Sequence, residues 1–169
     1  MKSVMVDIET LGNGSHSAIL SIGAVQFDET GIGGQFYVRV DAESCVRAGM
    51  TLDVSTVLWW FRQSDAARNE VADGGVDIRA ALEDLAKWWP AKATFWGNGA
   101  TFDNVIVANA YQRLGIQRPW GYTSDRCYRT MKAMFPAIKA DSTGGVAHNA
   151  LSDALYQAEH MVKIMKAVL

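Results

Sequence analysis

The sequence has few of the features that mark disulfide-rich, zinc-binding or membrane-spanning proteins. Its two cysteines, Cys45 and Cys127, fit no zinc-binding spacing and are too few for a disulfide framework. Its longest apolar runs are far shorter than the ~20 residues that a membrane-spanning helix needs, and no signal-peptide pattern follows Lys2. We therefore expect a cytoplasmic protein without a membrane partner, in which both cysteines serve as ordinary small side chains.

Charged residues of either sign are also few. The 169 residues include 16 basic and 18 acidic side chains, which gives a net charge of −2. Such a chain lacks the broad basic face of proteins that bind nucleic-acid duplexes tightly, so any affinity for a phosphate chain should be modest and sensitive to salt. No repeat, linker or low-complexity tract interrupts the sequence, which predicts a single domain over residues 1–169.

The order of the apolar segments predicts an α/β domain. Three strands at residues 4–10, 18–27 and 36–40, with a glycine-rich turn at 31–34, are typical of an antiparallel meander. One further strand at 93–96 and five helical segments follow, and together they predict a mixed sheet flanked by helices. The helical segments are 53–71, 77–89 with Asp77 as its N-cap, 101–114, 124–135 and 149–169, the last with a core stripe of Leu151, Leu155, Ala158, Val162, Met165 and Leu169.

The first strand ends in two acids, Asp7 and Glu9. Side chains two residues apart in a strand point to the same side, so these carboxylates lie next to each other. Two like charges at the end of a buried strand cost several kcal/mol unless a cation compensates them, and no Lys or Arg stands between Lys2 and Arg39. One interpretation is a site for Mg²⁺ or Mn²⁺, which prefer hard oxygen ligands. The other is a strand that emerges into solvent.

A third acid, Asp103, follows the strand at 93–96 in the segment Asn98-Gly99-Ala100-Thr101-Phe102-Asp103. Ligands of open α/β sheets gather at such junctions between a strand and a helix. Taken alone, however, an Asp in the first turn of a helix is explained equally well by its interaction with the helix dipole.

The last motif is His148-Asn149-Ala150-Leu151-Ser152-Asp153. Five helical residues turn through ~500°, so His148 and Asp153 can share a site only if the histidine lies in the loop before the helix. Gly144 and Gly145 favour such a loop. A neutral imidazole there suits the abstraction of a proton from water. The alternative is an exposed loop histidine beside an unrelated acid at the start of a helix.

The three motifs occur together and in a fixed order: Asp-x-Glu at a strand end, Asn-x-x-x-Phe-Asp at a strand-to-helix turn, and His-x-x-x-x-Asp at the last helix. In this the chain closely resembles the DEDDh 3′–5′ exonucleases of the ribonuclease H-like fold, and its size resembles the small exoribonuclease-like branch that includes phage exonucleases. The resemblance runs from Asp7 to the last helix. It implies a mixed five-stranded sheet, with a three-strand antiparallel meander and additional parallel strands, flanked by helices.

The resemblance also implies an activity and a set of ligands. The enzyme would hydrolyse phosphodiester bonds from the 3′ end of single-stranded nucleic acid, RNA slightly favoured over DNA, and would release nucleoside 5′-monophosphates. Four carboxylates would hold two divalent ions, Mg²⁺ or Mn²⁺, and His148 would activate the attacking water. The resemblance implies that the four metal ligands are Asp7, Glu9, Asp103 and Asp153.

Substrate contacts follow less directly from the family. Thr10 and Leu11 resemble the residues that contact the terminal 3′-hydroxyl and the last base. Phe102 is either a base-stacking residue or part of the core, and Asn149 is either a substrate contact or a helix cap. Because adjacent helix residues point ~100° apart, at most one tryptophan of the pair at 59–60 faces the substrate. We assign that role to Trp60 and place Trp59 in the core.

Other interpretations remain open at this stage. An internally cutting ribonuclease H would share the fold, and a catalytically silent nucleic-acid-binding or partner-docking domain would share it without the chemistry. The sequence shows neither an appended RNA-binding module nor a C-terminal extension that would tether a polymerase, which argues against a proofreading subunit. Its aromatic content is compatible with a homodimer, but no segment identifies an interface.

Overall fold

A five-stranded mixed sheet forms the centre of the computed structural model, which describes residues 2–72, 74–141 and 148–168. The strand order is β3-β2-β1-β4-β5. The first three strands form an antiparallel meander, and β4 and β5 continue the sheet parallel to β1. The α/β architecture implied by the sequence is therefore confirmed. The strands are β1 Ser3–Thr10, β2 Ile19–Asp28, β3 Gly31–Arg39, β4 Thr94–Gly97 and β5 Asp125–Cys127.

Helices cover both faces of this sheet. On one face α4 and α5 pack against the even-numbered residues of β1, and on the other face α7 packs against β1, β2 and β3. The helices are α1 Ala42–Arg47, α2 Val54–Trp60, α3 Asp65–Ala72, α4 Ile78–Trp88, α5 Asp103–Arg113, α6 Tyr128–Met134 and α7 Ala150–Val168, with a 3₁₀ turn at Tyr122–Ser124.

The apolar part of β1 is buried because both of its faces are covered. Val4 and Val6 belong to the core cluster under α4 and α5, whereas Met5 points into the cluster under α7, and all three are fully buried. A strand that is covered on both faces needs a continuous apolar run rather than an alternating one. This explains why the run Val4-Met5-Val6 precedes the first acid of the chain.

Helices α4 and α7 follow their apolar patterns. The side chain of Asp77 accepts a hydrogen bond from the Arg79 amide and caps α4, as predicted. In α7 the predicted stripe contains buried Ala158 and Val162, and Leu151 is among its partly buried members that pack against the same cluster. Leu169, the last residue of that stripe, lies outside the described residues.

Three predicted boundaries were wrong. The glycine-rich segment at 31–34 is the beginning of β3 rather than a turn, and the chain reverses just before it. The helix predicted over 53–71 is two helices, α2 and α3, separated at residues 61–64. The segment 124–135 contains the short strand β5 before α6. The polar triplet Asp125-Arg126-Cys127 offers no apolar alternation from which a strand could be predicted.

Candidate active site

The first two acids lie at the carboxyl end of β1, where glycines of the neighbouring strands leave room for two helices. Asp7 pairs with Gly23 of β2, and a Cβ atom built on Gly23 would lie 2.2 Å from the carbonyl carbon of Ala150. On the other side, Val6 pairs with Gly97 of β4, where a Cβ atom would lie 3.0 Å from the Asp103 Cβ. Any larger residue at these two strand positions would push α7 or α5 away from β1.

These close contacts bring the remaining acids to the same place. Asp103 is the first residue of α5 and only 3% exposed, and Asp153 lies in the first turn of α7. Ligand atoms of Glu9, His148 and Asp153 all lie within 4.8 Å of one another. The structure therefore joins all three sequence motifs in one cluster.

His148 lies just outside α7, as its spacing from Asp153 requires. Its φ of +62° is in the left-handed region, and the next residue, Asn149, caps the helix by accepting a hydrogen bond of 2.9 Å from the Ser152 amide. The left-handed turn directs the chain into the helix while the imidazole stays beside Glu9 and Asp153. Of the two roles considered for Asn149, the cap is the one seen here.

The cluster carries a high density of buried negative charge. Burial, together with the charges of Asp103 and Glu9, holds the pKa of Asp7 well above its ordinary value. Burial and the neighbouring carboxylates raise the pKa of Glu9 to about 8. Burial raises the pKa of Asp103 to about 7, against the effects of backbone N–H donors and of the Arg129 guanidinium, and burial also raises the pKa of Asp153. Each acid therefore gains from a nearby cation.

The donor set fits a divalent metal ion. Four carboxylates supply hard oxygen ligands, which Mg²⁺ and Mn²⁺ prefer. Gln157 adds a further buried oxygen, since its Nε2 donates a 2.8 Å hydrogen bond to Asp7 Oδ1 while its Oε1 has no hydrogen-bond partner among the described residues. A metal ion would neutralise the acids and offer a partner, directly or through water, to this oxygen.

A cavity of about 390 Å³ opens next to Glu9. One wall is the side of α2 that carries Ser55, Thr56 and both tryptophans, and the opposite wall includes Phe102. Trp60 is 6% exposed and its Nε1 donates a 2.9 Å hydrogen bond to the Thr10 carbonyl, so it fixes α2 to the end of β1.

Trp59 is not a core residue, so its assignment to the core was wrong. Its side chain is 38% exposed, and its ring meets the His148 imidazole edge to face at a centroid distance of 4.9 Å. Trp60 is the more buried of the pair, although it too lines the cavity. The sequence could not rank the two, because the choice depends on where α2 docks.

Two of the three remaining predicted substrate contacts line the same cavity, Thr10 and Phe102, and Phe102 also packs against the core. Leu11 is partly buried and packs against two core clusters. The Thr10 hydroxyl donates a hydrogen bond of 2.7 Å to the Gly12 carbonyl.

Comparison with known families identifies the protein class. The sequence model of the 3′–5′ exoribonuclease Rv2179c-like domain matches residues 2–165. The chain belongs to this family. The match confirms the DEDDh-type exonuclease assignment made from the three motifs, and the enzyme is a hydrolase of phosphodiester bonds.

Individual relatives of this Rv2179c-like protein are distant. The exodeoxyribonuclease of Enterobacteria phage T4 is 24% identical over 193 residues, which cover 90% of this chain and 84% of the phage protein. The nuclease domain of 3′hExo, a DEDDh family member solved with bound rAMP, superposes with a TM-score of 0.67 at 12% identity and covers 98% of this chain and 92% of that one. Exonuclease X, solved with 5′-overhanging duplex DNA, superposes with a TM-score of 0.60 at 16% identity. This match covers 96% of this chain and 92% of Exonuclease X. At these identities the two structures show the shared fold.

Two residues near the acids of this Rv2179c-like protein were not found from the sequence. Gln157 lies four residues after Asp153, so the same side of α7 carries both, and that spacing was available as a signal. Arg129 approaches Asp103 from α6, and its influence on that carboxyl arises only from the tertiary fold.

No helix within the described residues is long and apolar enough to cross a membrane.

Proposed function

We propose that the protein is a metal-dependent exonuclease that shortens single strands from the 3′ end and releases nucleoside 5′-monophosphates. The observation that carries this proposal is the convergence of four acids and His148 beside an open cavity. Membership of the Rv2179c-like family supports the direction of attack.

The four acids would hold two divalent ions, Mg²⁺ or Mn²⁺. When bound, such ions stabilise negative charge on the attacking and leaving oxygens of a phosphoryl transfer. Asp103 and Glu9 are the more buried of the four acids, and Glu9 and Asp153 lie close to His148. Gln157 would hold the Asp7 carboxylate in one orientation through its 2.8 Å hydrogen bond.

His148 would act as the general base. Its imidazole lies beside Glu9 and Asp153 and can accept a proton from the attacking water while it is neutral. The edge-to-face contact with Trp59 restricts the orientation of the ring.

The cavity beside α2 would hold the terminal nucleotide. Its lining combines aromatic rings with small hydroxyl side chains, which suit a base and a sugar respectively. Trp59 is sufficiently exposed to contact a base, and Thr10 lies where the strand end meets the cavity. Recognition of the 2′-hydroxyl there would decide between RNA and DNA. We favour RNA, in line with the name of the family.

A time course on 5′-labelled strands tests the proposal. RNA and DNA of the same sequence are incubated with Mg²⁺ or Mn²⁺ and, as a control, with EDTA. We expect a ladder that shortens from the 3′ end, that is absent in EDTA and that develops faster on RNA. The absence of cleavage on both strands would instead support a silent nucleic-acid-binding or partner-docking domain, and internal fragments would support an endonuclease.

We also propose that residues 1–169 act as one exonuclease domain in the cytoplasm. The continuous sheet and the helices packed on both of its faces support a single unit. Light scattering of the purified protein would determine whether it forms the homodimer considered above. A molar mass near that of one chain, 18.5 kDa, would contradict a dimer.

A further inference from the structure

The segment around α6 is the most basic part of a chain that is acidic overall. Residues 118–139 contain five basic side chains and one acidic side chain, whereas the whole sequence has 16 bases and 18 acids. Three of the five, Arg129, Lys132 and Lys139, form what we call the α6 strip. The other two are Arg118 and Arg126.

The α6 strip begins at the edge of the active site. The Arg129 Nη2 donates a hydrogen bond of 2.6 Å to the Asn98 carbonyl, and its guanidinium lies 3.2 Å from the position of a Cβ atom on Gly99. Asn98 and Gly99 belong to the turn between β4 and Asp103. The first cation of the strip is therefore attached to the loop that positions one of the four acids.

The strip continues into a separate cavity between α6 and α7. Lys132 and Lys139 line this cavity of about 270 Å³ together with Tyr156 and His160. Lys132 lies three residues after Arg129, and residues three apart share one side of a helix. On the α7 wall, Tyr156 lies three residues after the acid Asp153. Both walls of the cavity thus lead back to the active site.

The two lysines are the cations that this cavity offers to a ligand. Both ring nitrogens of His160 are engaged, by the Tyr128 hydroxyl at 2.7 Å and by the Ile138 carbonyl at 2.8 Å. Lys163 is paired with Asp141 at 2.6 Å. Within residues 2–72, 74–141 and 148–168, neither Lys132 nor Lys139 forms an ion pair.

The cavity and the strip lie on opposite sides of the acids. The cavity beside α2 is on the β2 side of β1, where Trp60 packs against Leu20, and the α6 strip is on the β4–β5 side. A strand whose 3′ end occupies the first cavity must cross the acids at the end of β1. Its next nucleotides then reach α6.

We propose that the α6 strip binds the phosphodiester backbone of the substrate on the 5′ side of the cleaved bond. This inference rests on the proposed exonuclease function. Unpaired cations match the charge of successive phosphates, and the partly exposed Tyr156 ring provides a face on which a base can stack. The seven helical steps from Asp153 to His160 span ~10 Å, roughly three stacked nucleotides.

The test compares substrates of two lengths in the full-length protein. The variant is Lys132→Ala/Lys139→Ala, and the control is Lys2→Ala, which removes an exposed lysine at the opposite end of β1 from Glu9. For an octanucleotide at low salt we expect KM to rise roughly 2- to 30-fold in the double variant. For a dinucleotide, which does not reach the strip, KM should match the wild-type value. The double replacement by Arg should restore octanucleotide KM.

A second readout does not depend on cleavage. Fluorescence anisotropy of a labelled octanucleotide in EDTA, followed over a range of salt concentrations, measures binding alone. The slope of log K against log salt is negative, and its magnitude should decrease by about 1.4 in the double alanine variant, ~0.7 for each lost phosphate contact. An unchanged slope with unchanged octanucleotide KM would overturn the inference and leave the exonuclease proposal intact. Conversely, a less steep slope in the double variant, combined with a wild-type protein that cleaves neither substrate, would overturn the exonuclease proposal alone.

Discussion

The acids and the histidine of the active site are held in different ways. Asp7 and Glu9 belong to a central strand and Asp103 begins a helix packed against that strand, so their positions are fixed by buried backbone. His148 lies before α7 with a left-handed φ, and its ring packs edge to face against Trp59, which is 38% exposed. The fold therefore fixes the proposed metal ligands, whereas a contact near the surface orients the proposed base.

Removing an acid should have the largest effect. Asp7→Asn takes one charge from a proposed ligand that lies among Asp103, Glu9 and Asp153, which disturbs metal binding as a whole. We expect cleavage of a 5′-labelled strand to fall below detection. Asp84→Asn provides the matched control, because Asp84 is an exposed acid on α4 that pairs with Lys87. Wild-type rates in Asp7→Asn would show that Asp7 is not a required ligand.

Removing the base should reduce the rate without removing the metal ions. His148→Ala is expected to lower kcat by roughly 10²–10⁴-fold, the usual contribution of a positioned proton acceptor. Single-turnover rates at saturating Mn²⁺ measure this loss. A variant that retains the wild-type rate would exclude His148 as the base.

Disturbing the support of the base should have a smaller effect. An aromatic pair contributes ~0.5–1.5 kcal/mol, so Trp59→Ala should lower kcat roughly 2- to 12-fold through misorientation of His148. Trp59→Phe keeps an aromatic face and should recover most of the rate. The neighbouring Leu58→Ala serves as the control, since Leu58 is 47% exposed. Equal losses in Trp59→Ala and Trp59→Phe would argue against support through ring packing.

The charge of the acids should also appear as pH-dependent stability in the metal-free protein. The folded-state pKa values of Glu9 and Asp103, about 8 and about 7, exceed their ordinary values of 4.5 and 3.8. The folded state therefore binds more protons than the unfolded state in this range, and the free energy of unfolding decreases as the pH rises from about 4.5 to about 8. Thermal unfolding in EDTA should show Tm falling over this range, and excess Mn²⁺ should reduce the fall. A Tm that rises with pH in EDTA would contradict the account.

The sequence predicted the parts of the site that depend on local geometry. The spacing of Asp7 and Glu9 placed them on one side of a strand, and the spacing of His148 and Asp153 required the histidine to lie outside the helix; in the structure both acids belong to β1, and His148 precedes α7. The sequence did not predict that Arg129 lies near Asp103, or that Trp59 is exposed and Trp60 is buried. Those features depend on how α2 and α6 dock on the sheet, which no local periodicity encodes.

The strand and turn errors have the same origin. The triplet at 125–127 is a strand because it pairs with β4 at the sheet edge, and the segment at 31–34 is extended because Gly31 and Ile32 pair with β2. Backbone pairing supplied by a neighbour outweighed local propensity in both cases. Gly23 and Gly97 allow α7 and α5 to pack closely against β1. This role, too, is visible only in the packed structure.

Calorimetric titration of His148→Ala with Mn²⁺ most directly tests the division between metal ligands and base. Because ligand atoms of Glu9, His148 and Asp153 lie within 4.8 Å of one another, the histidine is close enough to be a ligand itself. The account predicts that His148→Ala binds Mn²⁺ with the wild-type affinity and stoichiometry, whereas Asp7→Asn loses binding. A loss of Mn²⁺ binding in His148→Ala would contradict it and make His148 a metal ligand.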